Sequence, residues 1–145
     1  MNTDQTKSFD RDALNALSER VIGAVYEVAN TLGAGFLEKV YERALMRELA
    51  LRGIRVAAQA PFSVSYKGQR VGDYFADLLV EDALIVELKC VECLGREHMA
   101  QCLNYLRVSG FGLCLLVNFQ RARVEVRRVI CSGIFVPISD ASSST

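Results

Sequence analysis

The stretch Ala76–Cys90, ADLLVEDALIVELKC, decides how the chain is read. Two apolar runs flank a break at Glu81-Asp82-Ala83, and each run carries charge: Asp77 in the first, Glu87 and Lys89 in the second. Charges inside apolar strands are costly to bury unless something pairs them. With a three-residue loop at Glu81–Ala83, Val80 pairs with Leu84 and Asp77 lies opposite Glu87. Glu87 and Lys89 are two apart and leave the same face, while Leu84, Val86 and Leu88 leave the other. The hairpin therefore presents two carboxylates and an ammonium together above an apolar layer. Facing carboxylates repel unless a proton or cation sits between them. A divalent metal answers that need, and Mg2+ takes one or two protein carboxylates with waters and phosphate oxygens. The alternative is a Lys89 salt bridge to Asp77 or Glu87 on a solvated sheet face.

Working outward, the elements have the order ααβββαββ. Asp10 or Ser8 caps a helix from near Arg11, with Leu14, Leu17, Val21, Val25, Val28 and Leu32 at helical spacing. Gly33-Ala34-Gly35 breaks it, and a second helix runs from about Phe36 to Arg52 before Gly53. From Ile54 the period becomes two, with Phe62, Val64 and Tyr66 alternating with polar residues, then a turn at Lys67-Gly68-Gln69. Strands follow at Val71–Val80 and Leu84–Cys90, a helix at Leu94–Val108, a buried strand at Gly112–Phe119 and an edge strand at Arg123–Ile130. The expected organisation is one α/β domain over residues 10–138, between polar tails at 1–9 and 139–145.

The helices add to the charged face. Glu38 falls on the apolar side of the second helix, and Glu48 lies on that face too, so helix geometry alone does not choose between them. On the third helix His98, Gln101 and Tyr105 form a polar stripe beside Met99, Cys102, Leu103 and Leu106. That stripe either faces solvent or lines a groove over the hairpin.

Composition sets bounds. The chain has 145 residues, 51% hydrophobic and 23% charged, as a globular protein should. Lys+Arg and Asp+Glu number 17 each, so any basic surface must be local. Arg121, Arg123, Arg127 and Arg128 are the densest basic cluster, and Arg52, Arg55, Lys67 and Arg70 a looser one; both also read as solvated strand faces. No apolar run suits a bilayer, and the polar start has no signal-peptide character, so no membrane association is expected. Five cysteines then point to free thiols in a reducing cytoplasm. Cys90, Cys93, His98 and Cys102 approach a zinc-binding spacing, although Cys90 points towards the apolar layer. Neither a G-x-G-x-x-G loop nor a Walker pattern occurs, which argues against a nucleotide binder.

Three motifs then fall into order. Gly35-Phe36-Leu37-Glu38-Lys39-Val40-Tyr41 matches G-x-x-E-x-x-Y. Asp77 with Glu87-Leu88-Lys89 matches D…(D/E)-x-K, and Gln101-Cys102-Leu103-Asn104-Tyr105 matches Q-x-x-x-Y. Together they resemble the GxxExxY protein family, a branch of the PD-(D/E)XK nuclease-like superfamily, over roughly residues 18–130. Ala76 stands where that superfamily's name carries proline. The resemblance implies a restriction-endonuclease-like core, a mixed sheet flanked by helices, with a Mg2+- or Mn2+-dependent phosphodiesterase site. It implies that Asp77 and Glu87 are metal ligands and that Glu38 adds a carboxylate, directly or through water. It further implies that Lys89 positions the water or steadies the phosphorus, and that Gln101 and Tyr105 brace the site or touch substrate. His98 has no place in the motif. The implied partner is nucleic acid, with DNA favoured, and an exposed final strand offers a pairing edge for a homodimer. The competing function is a catalytically silent nuclease-fold module that binds nucleic acid or protein.

Overall fold

Asp10 caps the first helix by accepting the Ala13 amide at 2.7 Å, satisfying a donor that no helical turn can reach. In the computed structural model, which describes residues 10–120 and 122–130, that helix is α1, Arg11–Leu32. It ends where Gly33 takes φ 75°. After Gly35, α2 spans Glu38–Leu51, two residues shorter at its start than the sequence spacing suggests. The hairpin β1 (Val56–Tyr66) and β2 (Gln69–Val80) follows, then β3 (Leu84–Lys89), α3 (Arg96–Ser109), β4 (Leu113–Asn118) and β5 (Glu125–Ile130). The segments 1–9 and 131–145, which include both expected tails, and Arg121 lie outside the described residues.

The sheet has the spatial order β1-β2-β3-β4-β5. All neighbours are antiparallel except β3 and β4, which α3 connects as a parallel pair. The expected mixed sheet with flanking helices is what forms, and β5 is at its edge. Val80 does pair with Leu84, as the loop length requires. Glu81 and Asp82 take φ 52° and 51° in the turn, the positive values that tight hairpins need.

Two apolar layers cover the sheet. Leu78, Val80, Leu84, Val86 and Leu88 join Leu115 and Val117 under α1 and α2, with Val21, Val25, Tyr41, Leu45 and Leu49. Ile85, Cys114, Leu116 and Val129 join Cys102 and Leu106 of α3, and Phe111 after it, on the other face. β4 is buried along its full length because helices cover both its faces.

A strand normally keeps one face per parity. β1 and β2 do not. Val56 and Ala58 pack under α1 and α2, whereas Phe62 packs on the α3 side. On β2, Leu78 and Val80 lie in the first layer, whereas Tyr74 and Ala76 lie in the second. The hairpin turns over at the level of Gln59 and Asp77, and Gln59 stands there at φ 54°.

The expectation for β5 needs correction. Its charges were expected to face outward, yet Arg128 is half-buried and reaches α1, donating to Ser18 Oγ and Asn15 Oδ1 at 2.6 Å each. The reason is packing: Arg128 leaves β5 on the side where α1 covers the sheet edge.

Candidate active site

The β2–β3 ladder stops at Leu78↔Val86. One step further, side chains replace the missing backbone partners. The Asp77 amide donates to Glu87 Oε2 at 3.0 Å, and the Leu88 amide donates to Asp77 Oδ2 at 2.8 Å. Buried amides need acceptors, and here the two carboxylates supply them. Asp77 and Glu87 are thereby fixed against each other where the strands part.

Glu87 is only 4% exposed. Burial, then the neighbouring Asp77 charge, pushes its pKa up to about 8. Asp77 is also raised, first by burial, although the Leu88 amide opposes that shift. Glu38 reaches the group from the first turn of α2, and its pKa is raised by desolvation and then by Asp77. The Asp77 charge thus makes both Glu38 and Glu87 harder to ionise, and Glu38 adds to the effect on Glu87.

Lys89 lowers all three, but the ion pairs found among the described residues do not include it. Its Nζ donates instead to Gln101 Oε1 on α3 at 3.2 Å. The expected alternative of a Lys89–carboxylate salt bridge is not what forms. Gln101 of the polar stripe thus turns towards the hairpin.

Tyr105 is half-buried one turn on. Its ring stacks on Tyr74 with centroids 3.9 Å apart, and its carbonyl accepts the Tyr74 hydroxyl at 3.0 Å. Burial, followed by Glu87, pushes its phenol up to about 12, so it stays a neutral donor at ordinary pH. His98 turns to its own helix, where Nδ1 accepts the Gly95 amide at 2.9 Å. Glu48, the other candidate on α2, pairs with Arg52 at 2.7 Å.

The motif tyrosine holds the loop that presents Glu38. Tyr41 is fully buried and stacked on Phe119 at 4.4 Å. Its hydroxyl donates to Gly33 O at 2.5 Å and accepts the Phe36 amide at 3.2 Å. Both ends of the Gly33–Phe36 bend are thus tied to one phenol.

Two residues of the site escaped the sequence reading. Glu42 is 5% exposed, pairs with Lys39 at 3.3 Å, and accepts the Gln59 amide at 3.3 and 3.4 Å. Its charge reaches both Glu38 and Asp77. The signal was present: Glu42 lies one helical turn after Glu38 and so shares its face. Gln59 gave no signal, because nothing in its neighbourhood announces a left-handed residue.

Among the described residues no three His, Cys, Asp or Glu side chains converge into a ready-made metal cage. That holds for Cys90, Cys93, His98 and Cys102, which therefore form no zinc cluster; Cys102 is buried under α3 while Cys93 is exposed. The oxygen donors do fit a hard divalent cation. Mg2+ needs only one or two protein carboxylates and retains water, and three mutually repelling carboxyls beside an amine favour such an ion electrostatically.

Four arginines of the basic clusters form ion pairs, mostly on the surface. Arg52, Arg55, Arg70 and Arg127 pair with Glu48, Glu81, Asp73 and Glu125. No described helix is long and apolar enough to cross a membrane.

Comparison with curated proteins finds no match, and neither does comparison with solved structures. The family model of the PD-(D/E)XK nuclease superfamily matches residues 15–129, a span that holds Glu38, Asp77, Glu87, Lys89, Gln101 and Tyr105. The helix-flanked mixed sheet agrees with that family's restriction-endonuclease-like core. The match runs through most of the chain, and the chain belongs to the PD-(D/E)XK nuclease superfamily.

Proposed function

We propose that the protein is a Mg2+- or Mn2+-dependent nuclease of the GxxExxY branch that hydrolyses phosphodiester bonds, with DNA the favoured substrate. One observation carries this reading: Asp77 and Glu87 are locked together at the end of the β2–β3 ladder, beside a Lys89 that pairs with neither. Asp77 and Glu87 would hold the cation, with Glu38 adding a carboxylate directly or through water. When bound, the cation lowers the pKa of a water and neutralises phosphate charge.

The remaining work falls to the chain's own groups. Lys89, held by Gln101, keeps its ammonium available to orient the attacking water and to steady the charge that develops on phosphorus. Gln101 sets the direction of that amine. Tyr105, kept neutral, offers a hydroxyl to a phosphate oxygen. Glu87 and Asp77 tie β2 to β3 beyond the last backbone pair and so hold each other in place. Free thiols at Cys90, Cys93, Cys102 and Cys114 agree with a reducing, cytoplasmic setting. The β5 edge offers a strand to a second copy.

A second reading is a silent nuclease-fold module, favoured by the pairing of Arg52, Arg55, Arg70 and Arg127 with carboxylates of the same chain. The test is a panel of single- and double-stranded DNA and RNA incubated with Mg2+ and with Mn2+. Cleavage that EDTA stops supports the nuclease. A panel left intact by both metals supports the module.

A further inference from the structure

Gln59 sits on an edge strand, yet its backbone is left-handed at φ 54°. Side chains other than glycine, asparagine and aspartate seldom enter that region, because Cβ crowds the backbone. The conformation coincides with the level at which β1 and β2 exchange faces. Were the backbone turn the only requirement, glycine would supply it without strain. What glycine lacks is the amide. Gln59 Nε2 lies 3.3 and 3.4 Å from the two oxygens of Glu42. Gln59 stands level with Asp77, between Ala58↔Leu78 and Ala60↔Ala76, and Asp77 Oδ2 takes the Leu88 amide at 2.8 Å. On its far side Glu42 is held by Lys39 at 3.3 Å. Hydrogen bonds therefore run from Lys39 through Glu42 to Gln59, which lies at the level of the Asp77 that accepts from the β3 backbone.

We propose that Gln59 is a positioning residue, strained so that its amide ties the Asp77 carboxylate of the sheet to Glu42 of α2. Its benefit to cleavage rests on the nuclease reading; its effect on Asp77 does not. Glu42 is the anchor rather than a reacting group, since Lys39 and Gln59 already occupy it.

The test uses the full chain with Gln59→Gly, which relieves the backbone and removes the side chain with its amide. Amide hydrogen exchange read by NMR follows Leu88, whose N–H reports the Asp77 carboxylate, against Leu115 in the central strand. We expect Leu88 to exchange about tenfold faster with Leu115 unchanged, as loss of a bond to a charged group implies. Calorimetry with Mn2+ alone is expected to show affinity reduced about tenfold. Unchanged Leu88 exchange, or equal acceleration at Leu88 and Leu115, overturns the proposal. Should the glycine variant not fold, Gln59→Asn, which tolerates the left-handed region with a shorter amide, gives the same readout. A wild-type chain that cleaves nothing, with Leu88 deprotected in the variant, sinks the nuclease reading and keeps the positioning role. Cleavage by the wild type with Leu88 protected in the variant does the opposite.

Discussion

Asp77 and Glu87 are joined where their strands cease to pair: the Asp77 amide donates to Glu87 Oε2 at 3.0 Å, one step beyond Leu78↔Val86. Neither carboxylate is an appendage on a finished sheet. Each completes the backbone hydrogen bonding of the partner strand, and the same two carboxylates are the proposed cation ligands. Structure and candidate chemistry are thus carried by the same two side chains.

Asp77→Asn and Lys89→Ala are each expected to lower divalent-metal-dependent cleavage by about a hundredfold or more, the scale seen when a preorganised charge is lost from a site. Asn retains an oxygen for the Leu88 amide, so far-UV circular dichroism should stay unchanged. Full activity in either variant would remove that residue from the mechanism.

The metal-free protein should lose stability as pH rises from about 5 to about 8. Glu87 is the cause: its folded pKa of about 8 lies above the unfolded carboxylate value of 4.5. Between the two, the folded state holds a proton that the unfolded state has released, so folding becomes less favourable as pH rises. Thermal melts in EDTA should show this fall, and Glu87→Gln should flatten it. Because a cation relieves the same charge, the melting-temperature gain from Mg2+ should grow over that range.

Tyr41→Phe should cost roughly 1–2 kcal/mol in urea unfolding, since the lost hydroxyl serves both Gly33 O and the Phe36 amide. The ring's stack on Phe119 remains, so the fold persists. Cleavage should fall as well, because the tie that presents Glu38 is loosened.

Arg128→Ala should lower stability by about 1–3 kcal/mol through loss of its bonds to Ser18 and Asn15. The salt dependence of nucleic-acid binding should not change, as the guanidinium is committed to α1. A salt slope reduced by about one unit, measured by fluorescence anisotropy, would instead make Arg128 a phosphate contact.

The sequence by itself determined the order of the elements and the register of the central hairpin. Both are local: a period of two, a short loop and a charge at each stated offset leave one pairing that puts Asp77 opposite Glu87. It also marked Glu38, Lys89, Gln101 and Tyr105 through a resemblance of short motifs. What the tertiary structure added is that Lys89 turns to Gln101, that Glu48 pairs with Arg52, and that Gln59 joins Glu42. Those outcomes depend on how α2 and α3 settle against opposite faces of the sheet. Packing between elements distant in sequence sets that approach, and no periodicity within an element records it.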